Sequence, residues 1–455
     1  MKIALFLFSD YTKSWLDSGI LSELSSHSEL VIYGHQDVIA KINKQGLGVE
    51  TIAIPEFKKS RSTQHLQMVS LINRRIISSS FAFRLRRLMF GDLRLFQKRR
   101  TILVFLFAVF YNFKRLARFI LNNPIEVIAF FRPFGILIEC LLRRKFVLLS
   151  SKKFQSISLD DSIKLAILPS AAIEHQIYEF IEYLKTTTIS SAICIENWDN
   201  LTSKSILISI PDYVFVMGSF CKSHGVAIQG LEESQIVVAG LPRFNPYRGI
   251  PLKSNESNLL KKSRFRILYL GFSVPHNEKN LINEIIKLLD ASEMKDKYEF
   301  FYKPHPARQL RFYELDKLPP IVHVIDGNPG LSGFSAIPMI DPEHIQNILD
   351  ADVVISTPTS MAIETMMLNV PIIVDATDDG VHRTTASSSL KEYLHLRDLQ
   401  RLERLPIAAS PYELVDLLLG QFLGYAPYTA PNLENLIELK ASNYASHILN
   451  LANRL

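Results

Sequence analysis

The chain has 455 residues, 47% hydrophobic and 21% charged, a balance that excludes a disordered chain and asks for two or three packed domains, or two large ones. Its three cysteines, Cys140, Cys194 and Cys221, lie far apart, which excludes a disulfide framework or a cysteine zinc site and suits a reducing compartment. The net charge of +6 is uneven: residues 58–145 hold 19 Lys/Arg against three acids (Asp92, Glu126 and Glu139), a surplus of +16, so the rest of the chain sums to −10. Such a block needs an anionic partner: a membrane surface, nucleic acid or an acidic substrate.

Residues 3–8 form an apolar run with Asp10 close behind. A signal peptide needs a longer run and a small-residue cleavage site, so a first β-strand and no secretion are expected. Residues 30–33 and 50–54 read as further strands, and 65–120 as helical. The longest apolar run, TILVFLFAVF at 101–110, lies between Lys98-Arg99-Arg100 and Lys114-Arg115. It is shorter than the ~20 residues that cross a bilayer. Residues 81–90 mix aromatics with arginines in the same way. This composition fits interfacial helices, apolar on one side and cationic on the other; it also fits core helices with a solvated basic face. The coincidence of charge and aromatics over a long stretch favours the first reading. It predicts that 58–145 docks on an anionic membrane surface and that the protein is cytoplasmic, peripheral on the inner face of the cell membrane. No helix-turn-helix, zinc-finger or RNA-recognition signature supports nucleic acid as partner.

Strand-like and helical runs then alternate. Residues 165–168, 192–195, 213–217 and 236–239 read as strands, and 171–184 as a helix. Pro246, Gly249, Pro251, Ser254, Asn255 and Ser257 give 246–262 a linker composition. Beyond it, strands are expected at 266–270, 298–302, 322–325, 353–356 and 372–374, with helices at 278–289, 342–349 and 360–368. The predicted organisation is an N-terminal α/β domain (1–246) holding the basic segment 58–145, a linker (247–264), a C-terminal α/β domain (265–431), and a helix (432–455) able to pack back over the hinge. Strand–helix alternation predicts two Rossmann-like, doubly wound α/β domains facing across a cleft, with ligand outside the carboxyl ends of the strands.

Four constellations are site-like. In 352–364 a buried strand runs into Thr357, Thr359 and Ser360 and then a helix. Thr359 or Ser360 suits the N-cap, and the free N–H groups there attract phosphate. Glu364, one turn on, suits a ribose diol. An ordinary capped helix with a first-turn Glu accounts for the same residues. Lys303-Pro304-His305-Pro306 ends a strand at a rigid corner whose cation and imidazole suit phosphate or a base edge; a surface turn is the plainer alternative. Gly271-Phe272-Ser273 follows the first strand of the second half and lets backbone approach a phosphate, although it lacks a dinucleotide fingerprint, so NAD is not expected. In the first half, Glu196-Asn197-Trp198-Asp199-Asn200 offers Glu196 or Asp199 as a general base, with Trp198 anchoring the loop and Asp199 alternatively capping the next turn. Arg243 suits phosphate or a hinge ion pair. HExxH, carboxylate–histidine clusters and GxSxG are missing from the sequence, and no metal is expected.

Together these elements resemble GT-B glycosyltransferases of bacterial capsule and lipopolysaccharide-type surface-polysaccharide synthesis, including relatives of the CDP-glycerol glycerophosphotransferases and the polysialyltransferases. The resemblance rests on ENWDNLTSK (196–204), PDYVFV (211–216), GLPRFN (240–245), KPHP (303–306) and DVVISTPTSMAIETMMLNVPIIV (352–374). These lie within 160–375, under half of the chain, and the first 150 residues match nothing. The resemblance implies a nucleotide-sugar donor, a substrate rather than a cofactor, held by the second half. His305, Thr359, Ser360 and Glu364 fall at its phosphate and ribose positions. It implies a glycan or lipid-linked acceptor on the first half. Asn245 stands where relatives often carry Asp. The turn at 357–360 lacks the acidic or aromatic residue usual in the glycerophosphotransferases, so sugar transfer is preferred to glycerol- or polyol-phosphate transfer. An epimerase of the same fold, or a non-catalytic nucleotide-sugar-binding protein, would share these elements. In a metal-free reaction the leaving phosphate's charge would be met by Thr359, Ser360, His305, Lys303 and Arg243. Asp199 or Glu196 would activate the acceptor, and domain closure would exclude water.

Overall fold

The computed structural model describes residues 1–8, 12–57, 60–76, 78–94, 102–170, 174–253, 264–272, 276–305, 318–325, 342–425, 428–439 and 444–455. The chain divides into two compact units. The first comprises Met1–Leu85, Ile120–Arg248 and Glu434–Leu455; the second comprises Arg86–Phe119 and Gly249–Leu433.

The first unit is built on seven parallel strands: β1 (Lys2–Leu7), β2 (Glu29–Gly34), β3 (Glu50–Ala53), β4 (Ile163–Ser170), β5 (Ser190–Ile195), β6 (Tyr213–Val216) and β7 (Ile236–Val238). Their order is β3-β2-β1-β4-β5-β6-β7. The second unit has six: β8 (Phe265–Leu270), β9 (Tyr298–Lys303), β10 (Val322–Val324), β11 (Val353–Ser356), β12 (Ile372–Asp375) and β13 (Ile407–Ala408), ordered β10-β9-β8-β11-β12-β13. The central strands are nearly unbroken apolar runs buried from end to end, as in β11 (VVIS) and β12 (IIVD), because helices cover both faces of a parallel sheet. Both sheets grow from the first strand to one edge, then return to its other side. The order therefore reverses between β1 and β4 and again between β8 and β11, and a doubly wound sheet opens a crevice outside the carboxyl ends at that reversal. The expected fold class, two doubly wound α/β domains, is the one observed.

Between β3 and β4 lie the helices Arg61–Asn73, Ser79–Phe90, Ile102–Asn122, Pro124–Ala129 and Arg132–Lys153. The basic segment 58–145 does not stay with one unit, as the sequence led us to expect: residues 86–119 group with 249–433. The reason is a set of long-range polar bonds inside the second unit. Arg94 grips the carboxylate of Asp378 at 2.6 and 2.7 Å, Leu93 and His382 form an antiparallel bridge, and the Thr384 hydroxyl donates to Asp92 at 2.9 Å. Of the predicted linker 247–264, residues 254–263 lie outside the described residues.

The last segment returns to the first unit. Phe220 N donates to Asn435 O at 3.0 Å and Glu438 N to Met217 O at 2.9 Å. Helix Tyr444–Ala452 then buries Tyr444, Ala445 and Ile448 in the core beneath β1 and β6, with the Tyr444 ring 5.8 Å from Trp15 and 5.9 Å from Phe215. Gly218 permits this pairing, since a Cβ there would lie 2.3 Å from the Leu436 carbonyl oxygen, a backbone atom that cannot swing aside. Gly218→Ala is expected to destabilise the first unit by about 1–3 kcal/mol, read from denaturant unfolding.

Candidate functional site

In the second unit, the loops that leave β8, β9, β11 and β12 gather at the carboxyl ends of the sheet. Helix Ser360–Met367 starts directly after β11, at the reversal. Thr359 occupies its N-cap with extended backbone (φ −142, ψ 173) but makes no side-chain cap bond. Its hydroxyl and that of Thr357 are buried without a hydrogen-bond partner among the described residues. A buried polar group left unpaired costs roughly 1–3 kcal/mol, so two at the positive end of one helix mark a place suited to an anionic, hydrogen-bonding ligand. Ser360 is half-buried beside them.

Glu364 lies one turn further on and is buried. Its carboxylate is 3.4 Å from His344 Nε2, and Lys303 Nζ is 3.2 Å from His344 Nδ1. Two residues singled out by sequence, Lys303 and Glu364, are therefore joined through an imidazole on helix Pro342–Asp350 that was not. His305 is half-buried, its backbone N crowding Gly271: a Cβ on that glycine would sit 3.0 Å from His305 N and 2.9 Å from Glu278 Oε2. The Gly271 amide donates to Lys303 O at 2.9 Å and the Phe272 amide to Glu278 Oε1 at 2.6 Å. Glu278 also accepts from the Tyr302 hydroxyl. These two amides, expected to face a phosphate, are used within the protein, and Gly271 serves a close chain crossing. Ser273 and Pro306 lie outside the described residues.

Sequence reasoning missed the loop after β12. Asp375 accepts from the Tyr269 hydroxyl at 2.8 Å and from Thr377 N at 2.9 Å. Asp379 accepts from the amides of Asn277, Val381 and His382 at 2.8–2.9 Å and from His382 Nδ1 at 2.6 Å, and His276 Nδ1 lies 3.6 Å away. Burial is the largest single influence on Asp379 and pushes its pKa up; the bonds from His382 and Val381 outweigh it and hold the carboxyl well below the usual range. Among the described residues there is no group of three or more His, Cys, Asp or Glu placed to hold a metal.

In the first unit, Glu196 follows β5 and is buried. It accepts from Ser14 Oγ at 2.6 Å and Trp15 Nε1 at 2.8 Å, both on helix Thr12–Asp17 after β1. Its amide donates to Ser170 O at the end of β4 at 3.1 Å. The ends of β1, β4 and β5 thus converge on one carboxyl at the reversal of the sheet. Burial pushes its pKa up to about 7 against the bonds from Ser14 and Trp15; Glu174 adds to the rise and Arg243 opposes it. Asp199 sits differently. One carboxylate oxygen pairs with Lys204 at 3.5 Å, the other is buried and unpartnered, and the turn above is closed by its carbonyl, not by a side-chain cap. Trp198 is buried and anchors the loop. Arg243 lies 4.8 Å over the Phe244 ring.

No protein-family model matches the chain and no curated protein does. Among solved structures it is similar to the UDP-GlcNAc 2-epimerase of Methanocaldococcus jannaschii in complex with UDP-GlcNAc and UDP, at 12% identity over 100% of both chains with a TM-score of 0.46. It is similar to Acinetobacter baumannii MurG at 10% identity over 100% of both chains, TM-score 0.47. It is similar to Arabidopsis thaliana UGT89C1 at 10% identity over 100% of this chain and 98% of that one, TM-score 0.47. The strand orders above establish two doubly wound parallel α/β sheets. At these identities and TM-scores no substrate or reaction carries over.

The native state prefers Glu196 protonated, so the group costs nothing below its ordinary pKa near 4.5 and increasingly destabilises the fold as pH rises toward about 7. Glu196→Gln is expected to remove that part of the pH dependence, up to about 3 kcal/mol, seen as a flatter unfolding free energy between pH 4.5 and 7.

Proposed function

We propose that the chain is a glycosyltransferase that moves a sugar from a nucleotide-sugar donor to a glycan acceptor carried on a lipid, without a protein-bound metal. The observation that carries the reading is the pair of buried, unpartnered hydroxyls, Thr357 and Thr359, at the head of helix Ser360–Met367 where the second sheet reverses. A departing nucleotide phosphate accumulates negative charge. Amides of a helix N-terminus and fixed hydroxyls stabilise such charge without reorganising, and Lys303, His305 and Ser360 belong to the same loop cluster. Glu364 takes the ribose diol, exchanging its contact with His344 for two hydroxyl donors.

On the acceptor side, Glu196 is the preferred base. Its pKa near 7 leaves both protonation states populated at neutral pH, the condition for taking a proton in one step and releasing it in the next. Asp199, tied to Lys204, is the alternative base. A carboxyl tuned in this way also suits removal and return of a proton on a sugar carbon. That tuning favours one second reading, a nucleotide-sugar epimerase of the same fold.

The test is thermal-shift screening with nucleoside mono- and diphosphate sugars, which raise the melting temperature by mass action when they bind the native state, followed by turnover of the best ligand in deuterated water. Transfer predicts nucleotide release that depends on added acceptor. Epimerisation predicts deuterium in the sugar with no acceptor present. Thr357→Val and Thr359→Val are each expected to weaken donor binding by about 10-fold, the value of one hydrogen bond to a charged group. Wild-type affinity in both would remove the phosphate site from this helix.

A further inference from the structure

Helix Ile102–Asn122 runs for 21 residues and contains no acid; its only charges are Lys114, Arg115 and Arg118. Its buried side chains among those described are Ala108, Asn112 and Phe119, a single stripe at helical spacing. Asn112 fixes that stripe by donating to Leu93 O at 3.2 Å and Ala108 O at 2.6 Å, and Arg115 donates to Leu88 O at 3.2 Å. At roughly 100° per residue, Ile102, Leu106, Phe110, Phe113, Ile120 and Leu121 all fall on the side away from the stripe. They are 45–79% exposed. Lys114 and Arg118 border this apolar face along one edge.

A face of this size on a soluble surface asks for a cover. No helix among the described residues is long and apolar enough to cross a membrane, so the face lies on its partner and does not pass through it. Charge chooses the partner. A second copy of the helix would offer Lys114 and Arg118 no acid to answer them. An anionic lipid surface answers the cations and accepts the apolar side chains together. The first unit has a helix of the same kind: Arg132–Lys153 exposes Phe134, Leu137, Leu141 and Leu148 beside Arg144 and Lys145.

We infer that helix Ile102–Asn122 is a lipid-docking element that seats the second unit on an anionic bilayer surface. The first 18 residues of the helix belong to that unit. The segment that precedes the helix is clasped to the loop after β12: Arg94 holds Asp378, Asp92 holds Thr384, and Leu93 bridges His382. The docking surface is therefore tied to the loop that carries Asp379 and His382, at the carboxyl end of the sheet. Describing that unit as donor-binding rests on the function proposed above; the docking does not.

The experiment is co-sedimentation of the full chain with vesicles of phosphatidylcholine alone or with phosphatidylglycerol added, at low and high salt. Wild type is expected to bind the phosphatidylglycerol vesicles at least 10-fold more tightly than the neutral ones, and less tightly as salt rises. Phe110→Ser with Phe113→Ser should lower binding about 10-fold to either vesicle. Lys114→Gln with Arg118→Gln should lower it only for the anionic ones. Unfolding of each variant at the wild-type temperature shows that the fold is kept. Equal partition of wild type and both variants would overturn the inference, as would a dimer in light scattering that Phe110→Ser with Phe113→Ser dissolves. Thermal shifts by a nucleotide-sugar panel are read in parallel. Their absence with vesicle binding retained would sink the donor reading and leave the docking standing.

Discussion

A parallel strand covered by helices on both faces has no tolerable place for a polar side chain except its end. This constraint organises both units. The buried middle of the central strands is apolar, and polar groups collect where the strands end: Ser170 closing β4, Glu196 after β5, Thr357 and Thr359 after β11, Asp375 closing β12. The chemistry collects at the carboxyl ends because the interior of the sheet would have charged several kcal/mol for each such group.

Two buried carboxyls show how the same cost is met in opposite ways. Asp379 receives three amides and an imidazole, enough to outweigh burial and keep it an anion. Glu196 receives one hydroxyl and one indole N–H, and burial prevails. The difference is the number and kind of donors, and it gives one group a fixed charge and the other a proton that can move. A fixed charge orients neighbours such as His382; a movable proton is what acid–base chemistry uses.

The periodicity of the sequence was enough for every strand of the two sheets but the two-residue edge strand β13, and for the doubly wound class, because buried parallel strands read as unbroken apolar runs. The hydroxyl-rich start of helix Ser360–Met367 and the carboxyl at Glu196 were legible for the same reason: each follows such a run directly. What was not legible depends on residues far apart in sequence. His344 joins Lys303 to Glu364 from another helix. The amide of Gly271 is taken by Lys303 O, and no local pattern announces a partner on the next strand. The assignment of 86–119 to the second unit turns on Arg94 and Asp378, nearly 300 residues apart, a pairing that composition and spacing do not encode. Nothing in the run Asp378-Asp379-Gly380 marks Asp379 as special; the bonds from Asn277, Val381 and His382 do.

The return of residues 434–455 to the first unit has a consequence for how the molecule is made. Translation delivers Tyr444 and Ile448, which complete the core around Trp15 and Phe215, only after all of 249–433 has emerged. The nascent first unit therefore waits with part of its core uncovered while the body of the second is synthesised, an interval in which exposed apolar surface invites misassembly. In the reverse direction, the same late-arriving helix is the natural place for unravelling of the first unit to begin.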